Sequence, residues 1–137
     1  MPGDVLLTRI EQFSAAHRLF VRGLSDQENF KLFDKCSREN GHGHNYKVEI
    51  RVKGKVDAQT GMVMDLGVLK KNIQSVIDQV DHTFLDKDVP FFADKPSTVE
   101  NICIFFWEQL KDTLPPGVKM NKVKVYETDK NVAAYKG

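Results

Sequence analysis

The chain has 137 residues, of which 41% are hydrophobic, and this size suits a single domain spanning residues 1–137. Twenty Lys and Arg residues against nineteen Asp and Glu leave a formal charge of +1, so no strong net field favours nucleic acid or an anionic membrane as a partner. The longest apolar run, residues 102–107, is far shorter than the roughly 20 residues of a membrane span. With two cysteines and no signal-like N-terminal segment, we expect a soluble, cytoplasmic protein with reduced thiols.

Two strands are predicted in the first part of the chain. Residues 5–16 are rich in Val, Leu, Ile, Thr and Phe without a helical period, which favours a strand that His17 closes. In residues 45–53 apolar side chains alternate with charged ones, as in a half-buried antiparallel strand. Extending this alternation back through Gly43 puts His42 and His44 on the apolar face.

A long connection, residues 18–41, separates these strands. It contains a possible capping box that starts at Ser25 and ends at Glu28, followed by a short amphipathic segment. Long connections inside compact domains are often functional. This one places Cys36 only six positions before His42.

Two helices and two further strands are predicted in the second half. Asp65 is expected to cap a helix over residues 66–80, in which the apolar residues have helical spacing. Ser97 and Glu100 are expected to form a capping box for a second helix, whose apolar stripe ends at Leu110 and which residues 115–117, Pro-Pro-Gly, terminate. Strands follow at residues 122–128 and 132–135. The order, strand, strand, helix, helix, strand, strand, predicts an α+β fold with four strands.

The histidines indicate a metal site. His42 and His44 lie at i and i+2 on one strand face, and His17, at the end of the neighbouring strand, could supply a third nitrogen. Three imidazoles leave one position open, as in catalytic zinc sites. The pair could instead be a chance pairing or a satisfied core pair, since the motif alone is weak.

The two cysteines invite different interpretations. Cys36 could be a fourth ligand that closes a structural zinc site, or it could stay off the metal as a base or nucleophile. Spacing alone leaves both open. Cys103 lies in the apolar stripe of the second helix and is interpreted as a buried structural thiol.

Three further polar residues are candidates for chemistry. Asp81 and His82 follow the first helix directly. They could be a charged pair on the surface, or His82 could accept and donate a proton while Asp81 orients its ring. Glu127 shares strand parity with buried positions, so its carboxylate could pair with N–H groups of a heterocyclic ligand. Alternatively, Glu127 lies at a strand end in solvent.

Taken together, these residues resemble the 6-pyruvoyl-tetrahydropterin synthase family. The resemblance lies in five segments that span residues 13 to 128: Phe13-Ser14-Ala15-Ala16-His17-Arg18-Leu19, Cys36-Ser37-Arg38-Glu39-Asn40-Gly41-His42-Gly43-His44-Asn45-Tyr46, Asp81-His82, Pro96-Ser97-Thr98-Val99-Glu100-Asn101 and Tyr126-Glu127-Thr128.

The resemblance implies a role for each site residue. It implies zinc ligands at His17, His42 and His44, and it implies that Cys36 is the catalytic base. Asp81 and His82 would then form a proton relay, Glu127 would anchor the pterin ring, and Thr98 would approach the pterin.

The resemblance also implies the fold, assembly and reaction. The fold would be the tunnelling fold, an antiparallel four-stranded sheet with two helices packed on one face. The sheets of three subunits would join into a barrel, and two trimers would form a homohexamer. Asp81 and His82 would serve their own or a neighbouring chain's Cys36. The implied reaction converts 7,8-dihydroneopterin triphosphate to 6-pyruvoyl-tetrahydropterin with loss of triphosphate, on the route to tetrahydrobiopterin. Mg²⁺ is expected with the substrate triphosphate, although no protein site for it is evident.

Two alternatives remain open. A related enzyme that makes 6-carboxy-tetrahydropterin would share the fold and the zinc histidines. In those relatives the cysteine is expected closer to the His-Gly-His unit, so the five residues between Cys36 and His42 favour resemblance to the pyruvoyl-forming enzyme. The other alternative is a non-catalytic protein that binds zinc or a pterin.

Overall fold

The structure is a computed structural model and describes residues 3–137. It contains five strands, β1 (Val5–His17), β2 (His42–Gly54), β3 (Thr83–Phe84), β4 (Lys119–Tyr126) and β5 (Val132–Tyr135). It also contains four α-helices, α1 (Asp26–Phe33), α2 (Leu66–Val80), α3 (Leu85–Asp88) and α4 (Val99–Leu110), and 3₁₀ helices at Asp34–Ser37 and Pro90–Ala93. Among these residues, no helix is both long enough and apolar enough to cross a membrane.

The strands form one mixed sheet in the order β3-β1-β2-β4-β5. β1 and β2 pair antiparallel along their whole length, and β4 and β5 extend the sheet antiparallel on the β2 side. β3 joins the other side through a two-residue parallel pairing with Ala15 and Ala16. The α+β class is confirmed, but the predicted count of four strands is wrong because β3 was missed.

The hydrophobic core lies on one face of the sheet. Tyr46, Val48, Ile50 and Val52 of β2 are fully buried, which confirms the predicted alternation. The long helices contribute Leu69, Ile73, Val76, Ile77 and Val80 from α2 and Ile102, Cys103, Phe105, Phe106 and Leu110 from α4. The core face of the sheet therefore continues directly into the positions of His42 and His44.

The helix starts agree with the sequence in two cases of three. Asp65 caps α2 as predicted, and Ser25 and Glu28 form the predicted capping box of α1. The capping box predicted at Ser97 is wrong, because Thr98 is the N-cap of α4 and its hydroxyl accepts from the Asn101 N–H. α4 ends at Leu110, before the proline pair that was expected to terminate it.

The bounds of β4 also differ from the prediction. The strand covers Lys119–Tyr126, whereas residues 122–128 were expected. The pairing of β2 with β4 shifts by one residue between Arg51 and Val52, which leaves Asn121 as an extra residue. Such a bulge resets the alternation of side chains, so the pattern from Lys122 onward does not reveal the strand's start.

Candidate active site

Three histidines converge at the paired ends of β1 and β2. His17 lies directly opposite His42 in the strand register, and His44 follows on the same face. The Nε2 atoms of His17 and His42 are 3.0 Å apart, and each of the three rings offers a nitrogen within 4.8 Å of the others. The sequence expectation that these imidazoles face each other is therefore met.

A backbone carbonyl fixes the orientation of His17. Its Nδ1 lies 2.7 Å from the carbonyl oxygen of Ser97. A carbonyl oxygen can only accept, so Nδ1 must carry the proton and donate. In the neutral ring, Nε2 then keeps its lone pair and faces the other two histidines.

The cluster has the electrostatic character of a metal site. Burial lowers the pKa of both His17 and His44, so their neutral forms are favoured. The Nε2 atom of His44 is buried and has no hydrogen-bond partner among residues 3–137. A buried unsatisfied nitrogen is costly unless a ligand completes it, and neutral imidazoles are the form that binds a metal.

The donor set fits zinc. Tetrahedral zinc with nitrogen ligands at about 2.0–2.1 Å requires ligand nitrogens roughly 3.3 Å apart. The Nε2 atoms of His17 and His42, 3.0 Å apart, are close to this value, and the nitrogens of all three rings lie within 4.8 Å of one another. Within the described chain, the three histidines are the one group of His, Cys, Asp or Glu side chains close enough to share an ion. They could hold a metal with a further coordination position left over.

Cys36 lies near the end of β1 but is not part of the histidine cluster. It is partly exposed in the 3₁₀ helix Asp34–Ser37, and its carbonyl accepts from the Leu19 N–H at 2.9 Å. Leu19 follows His17 by two residues, so the connection returns Cys36 to the end of β1. Because its sulfur is outside the group of converging ligand atoms, the closed site with Cys36 as fourth ligand lacks support.

Asp81 and His82 are joined to each other and to β1. The Asp81 carboxylate accepts from His82 Nδ1 at 3.0 Å and from the Ser14 N–H at 2.9 Å, and this backbone donor lowers the pKa of Asp81. His82 has a φ of 60° and an exposed side chain. It lines a cavity of about 340 Å³ together with Ser14, Asn45 and His44.

Glu127 and Thr98 are the two residues that the resemblance placed near the pterin. Glu127 follows β4 directly, and its carboxylate lies 3.6 Å from His44 Nε2. The side chain therefore lies on the same side as the histidines, as its strand parity predicted. It is not exposed as a strand-end residue would be, with 18% of its side chain accessible. Thr98 uses its hydroxyl to cap α4.

Two buried residues near the cluster were not identified as site residues from the sequence. Ser97 was interpreted as a helix cap, and Asp86 was not singled out. Ser97 is fully buried, and its hydroxyl donates to the Asp86 carboxylate at 2.7 Å. Their link to His17 joins positions up to 80 residues apart, which no local pattern signals.

Comparison with known proteins identifies the family. The family model of 6-pyruvoyl tetrahydropterin synthase matches residues 6–137. The chain belongs to this family. The expectation drawn from the five quoted segments is thereby confirmed, and so is the expectation that the chain is an enzyme.

Named relatives and a solved structure agree with the family. The chain is 54% identical to the human protein named 6-pyruvoyl tetrahydrobiopterin synthase, across 96% of this chain and 90% of the human one. The solved structure of Caenorhabditis elegans 6-pyruvoyl tetrahydropterin synthase superposes with a TM-score of 0.94 at 48% identity, covering 100% of this chain and 97% of that one. An Archaeoglobus fulgidus protein named putative 6-carboxy-5,6,7,8-tetrahydropterin synthase is 36% identical, across 94% of this chain and 93% of its own.

Proposed function

We propose that this chain is a zinc-dependent enzyme of tetrahydrobiopterin synthesis that converts 7,8-dihydroneopterin triphosphate to 6-pyruvoyl-tetrahydropterin and releases triphosphate. The observation that carries the proposal is the convergence of three imidazoles around the unsatisfied Nε2 of His44, in a chain of this family. The higher identity to the human synthase than to the Archaeoglobus relative favours the pyruvoyl product over the carboxy product.

The three histidines would hold the metal. His17, His42 and His44 each offer a ring nitrogen, and the Ser97 carbonyl keeps the lone pair of His17 directed toward the cluster. When bound, zinc supplies positive charge that polarises substrate oxygens and acidifies the neighbouring C–H bond. Because burial lowers the pKa of His17 and of His44, their neutral, metal-binding forms are favoured.

Cys36 would act as the base. As a thiolate beside the end of β1, it would remove a proton from a carbinol carbon of the substrate side chain. Internal proton transfers then reduce the pterin ring while the side chain is oxidised, and triphosphate leaves from the neighbouring carbon. The reaction consumes no external electron donor or acceptor.

Glu127 would hold the pterin ring. A largely buried carboxylate needs donors, and the adjacent N–H groups of a pterin match a carboxylate in a bidentate arrangement. Its position 3.6 Å from His44 would place the ring at the edge of the metal site. Thr98, in the N-cap of α4, is proposed to approach the same ring.

Asp81 and His82 would complete a neighbouring chain's site. The His82 side chain is exposed, and its backbone N–H is held by the Ser14 carbonyl at the outer side of β1, where another protomer could reach it. We therefore assign the relay to the Cys36 of another protomer in the proposed homohexamer. Asp81 would orient the His82 ring through its 3.0 Å contact with Nδ1.

The test is a reaction with dihydroneopterin triphosphate and Mg²⁺, with and without a zinc chelator. We expect triphosphate release and a 6-pyruvoyl-tetrahydropterin mass that the chelator abolishes and added zinc restores. A 6-carboxy product with a two-carbon aldehyde would identify the other enzyme instead. Absence of turnover by zinc-loaded protein would contradict catalysis altogether.

A further inference from the structure

A buried carboxylate in α3 is linked to His17 along two routes. Asp86 is 6% exposed, and one carboxylate oxygen accepts from the Ser97 hydroxyl at 2.7 Å. The other oxygen accepts from the Arg18 N–H at 2.7 Å. Arg18 follows His17 in the chain, and the Ser97 carbonyl accepts the hydrogen bond from His17 Nδ1–H.

We propose that Asp86 is a positioning residue that fixes the tautomer and orientation of His17 by holding both Ser97 and the backbone after His17. It does not touch the reacting atoms. With Asp86 in place, the Ser97 carbonyl and the His17 backbone are held relative to each other, so the ring has one favoured position.

The chemistry of the link favours an orienting role. Hydrogen bonds to an ionised acceptor are roughly twice as strong as neutral ones, so a buried carboxylate is an effective anchor for two donors. Groups that orient a metal-binding histidine through its other ring nitrogen usually influence metal affinity strongly. Asp86 acts here through Ser97, one residue further out, and the inference rests on the zinc site of the proposed function.

Removal of the anchor should weaken zinc binding. We expect Asp86→Ala and Ser97→Ala each to raise the zinc dissociation constant by about 10-fold or more, measured by competition with a chromophoric chelator. Asp86→Asn should restore most of the affinity, because its oxygen can accept from Arg18 while its amide donates to the Ser97 hydroxyl. If Asp86→Ala fails to fold, Ser97→Ala and Asp86→Asn still test the link.

A control separates positioning from general destabilisation. Ile73→Val opens a small cavity in the core at α2, so it should lower the melting temperature without changing zinc affinity. If Ile73→Val weakens zinc binding as much as Ser97→Ala does, or if Ser97→Ala and Asp86→Ala bind zinc within twofold of the wild type, Asp86 is only structural and the proposal is wrong.

A second readout needs no metal. Nitrogen-15 NMR of the metal-free protein reports which ring nitrogen of His17 carries the proton. We expect protonated Nδ1 in the wild type and in Asp86→Asn, and a mixture of tautomers in Ser97→Ala and Asp86→Ala. An unchanged tautomer in both alanine variants would overturn the proposal. Because this result does not depend on zinc, a wild type that binds no zinc would contradict the proposed function while the tautomer still decides the role of Asp86.

Discussion

At the scale of single residues, Gly41 has the strictest requirement near the histidines. Its φ is +68°, and an added Cβ would lie 2.7 Å from the Phe84 ring and 2.8 Å from the His17 carbonyl oxygen. The backbone carbonyl cannot move without moving His17. The residue before His42 must therefore be glycine for both conformational and steric reasons.

We predict that Gly41→Ala destabilises the protein and weakens zinc binding. Gly61→Ala is the matched control, because Gly61 has a φ of +72° but nothing within 4 Å of the added Cβ. The left-handed conformation alone should cost each variant about 1–2 kcal/mol in urea unfolding. A larger loss in Gly41→Ala, together with weaker zinc binding, would show the steric contact, and equal losses with equal zinc affinity would contradict it.

Cys103 gives a prediction for the pH dependence of stability. It is buried in α4, as the apolar stripe predicted, and burial raises the pKa of its thiol from 9.0 to about 11. Above pH 9 the unfolded chain loses this proton before the folded chain does, so stability falls as the pH rises.

We expect this thiol to account for about 1 kcal/mol of the stability lost between pH 8 and pH 10. Denaturant unfolding of the wild type and of Cys103→Ala at both pH values measures it. The variant should be less stable at pH 8 because of the cavity it creates, but its further loss toward pH 10 should be smaller. Parallel declines in the two proteins would exclude the predicted contribution.

The sequence predicted the histidine cluster because its signal is local. The alternation of β2 continues through His44 to His42, and β1 ends at His17, so register alone brings the rings together. The contacts of Ser97 and Asp86 have no such signal. Ser97 has the residue type and spacing of a helix cap, but its hydroxyl donates to the buried carboxylate of Asp86 instead. This contact is visible only in three dimensions.

At the scale of elements, long periodic segments were predictable and short ones were not. α2, the apolar stripe of α4 and the alternation of β2 repeat often enough to reveal their type. β3 has two residues and α3 has four, too few for any period to show. Both depend on tertiary contacts, β3 on its pairing with Ala15 and Ala16.

The stability of α4 depends on its N-terminal cap, Thr98. Thr98→Ala removes the hydroxyl that accepts from the Asn101 N–H, and we expect a loss of about 0.5–2 kcal/mol in the free energy of unfolding. Thr98→Ser keeps the hydroxyl and should remain within a few tenths of the wild type. Urea unfolding distinguishes them, and an alanine variant as stable as the serine variant would remove Thr98 as the cap.

At the scale of the whole molecule, the sheet has an open side along β1. In residues 3–137, β3 covers this side only at Ala15 and Ala16. Ser14 directs its N–H to Asp81 and its carbonyl to the His82 N–H, so it faces away from β2. Because the backbone N–H groups alternate in direction along a strand, the Thr8 N–H points outward like that of Ser14, whereas the Arg9 N–H points toward β2. An open strand edge needs a cover, and barrel closure between protomers would provide it.

We predict that Thr8→Pro disrupts the proposed homohexamer but leaves the fold of the chain intact, since it removes an outward N–H. Arg9→Pro is the matched control, because it removes an N–H from the ladder with β2 and should destabilise the fold itself. Light scattering should give about six times the chain mass of 15.6 kDa for the wild type and a smaller species for Thr8→Pro. An intact hexamer of Thr8→Pro would show that this edge does not mediate assembly.

The central claim is that three histidines hold zinc while Cys36 stays off the metal, and the zinc content of purified variants tests it most directly. We predict one zinc ion per chain in the wild type and in Cys36→Ala, and none in His42→Ala, by elemental analysis after dialysis. Full zinc in His42→Ala, or loss of zinc from folded Cys36→Ala, would contradict the claim.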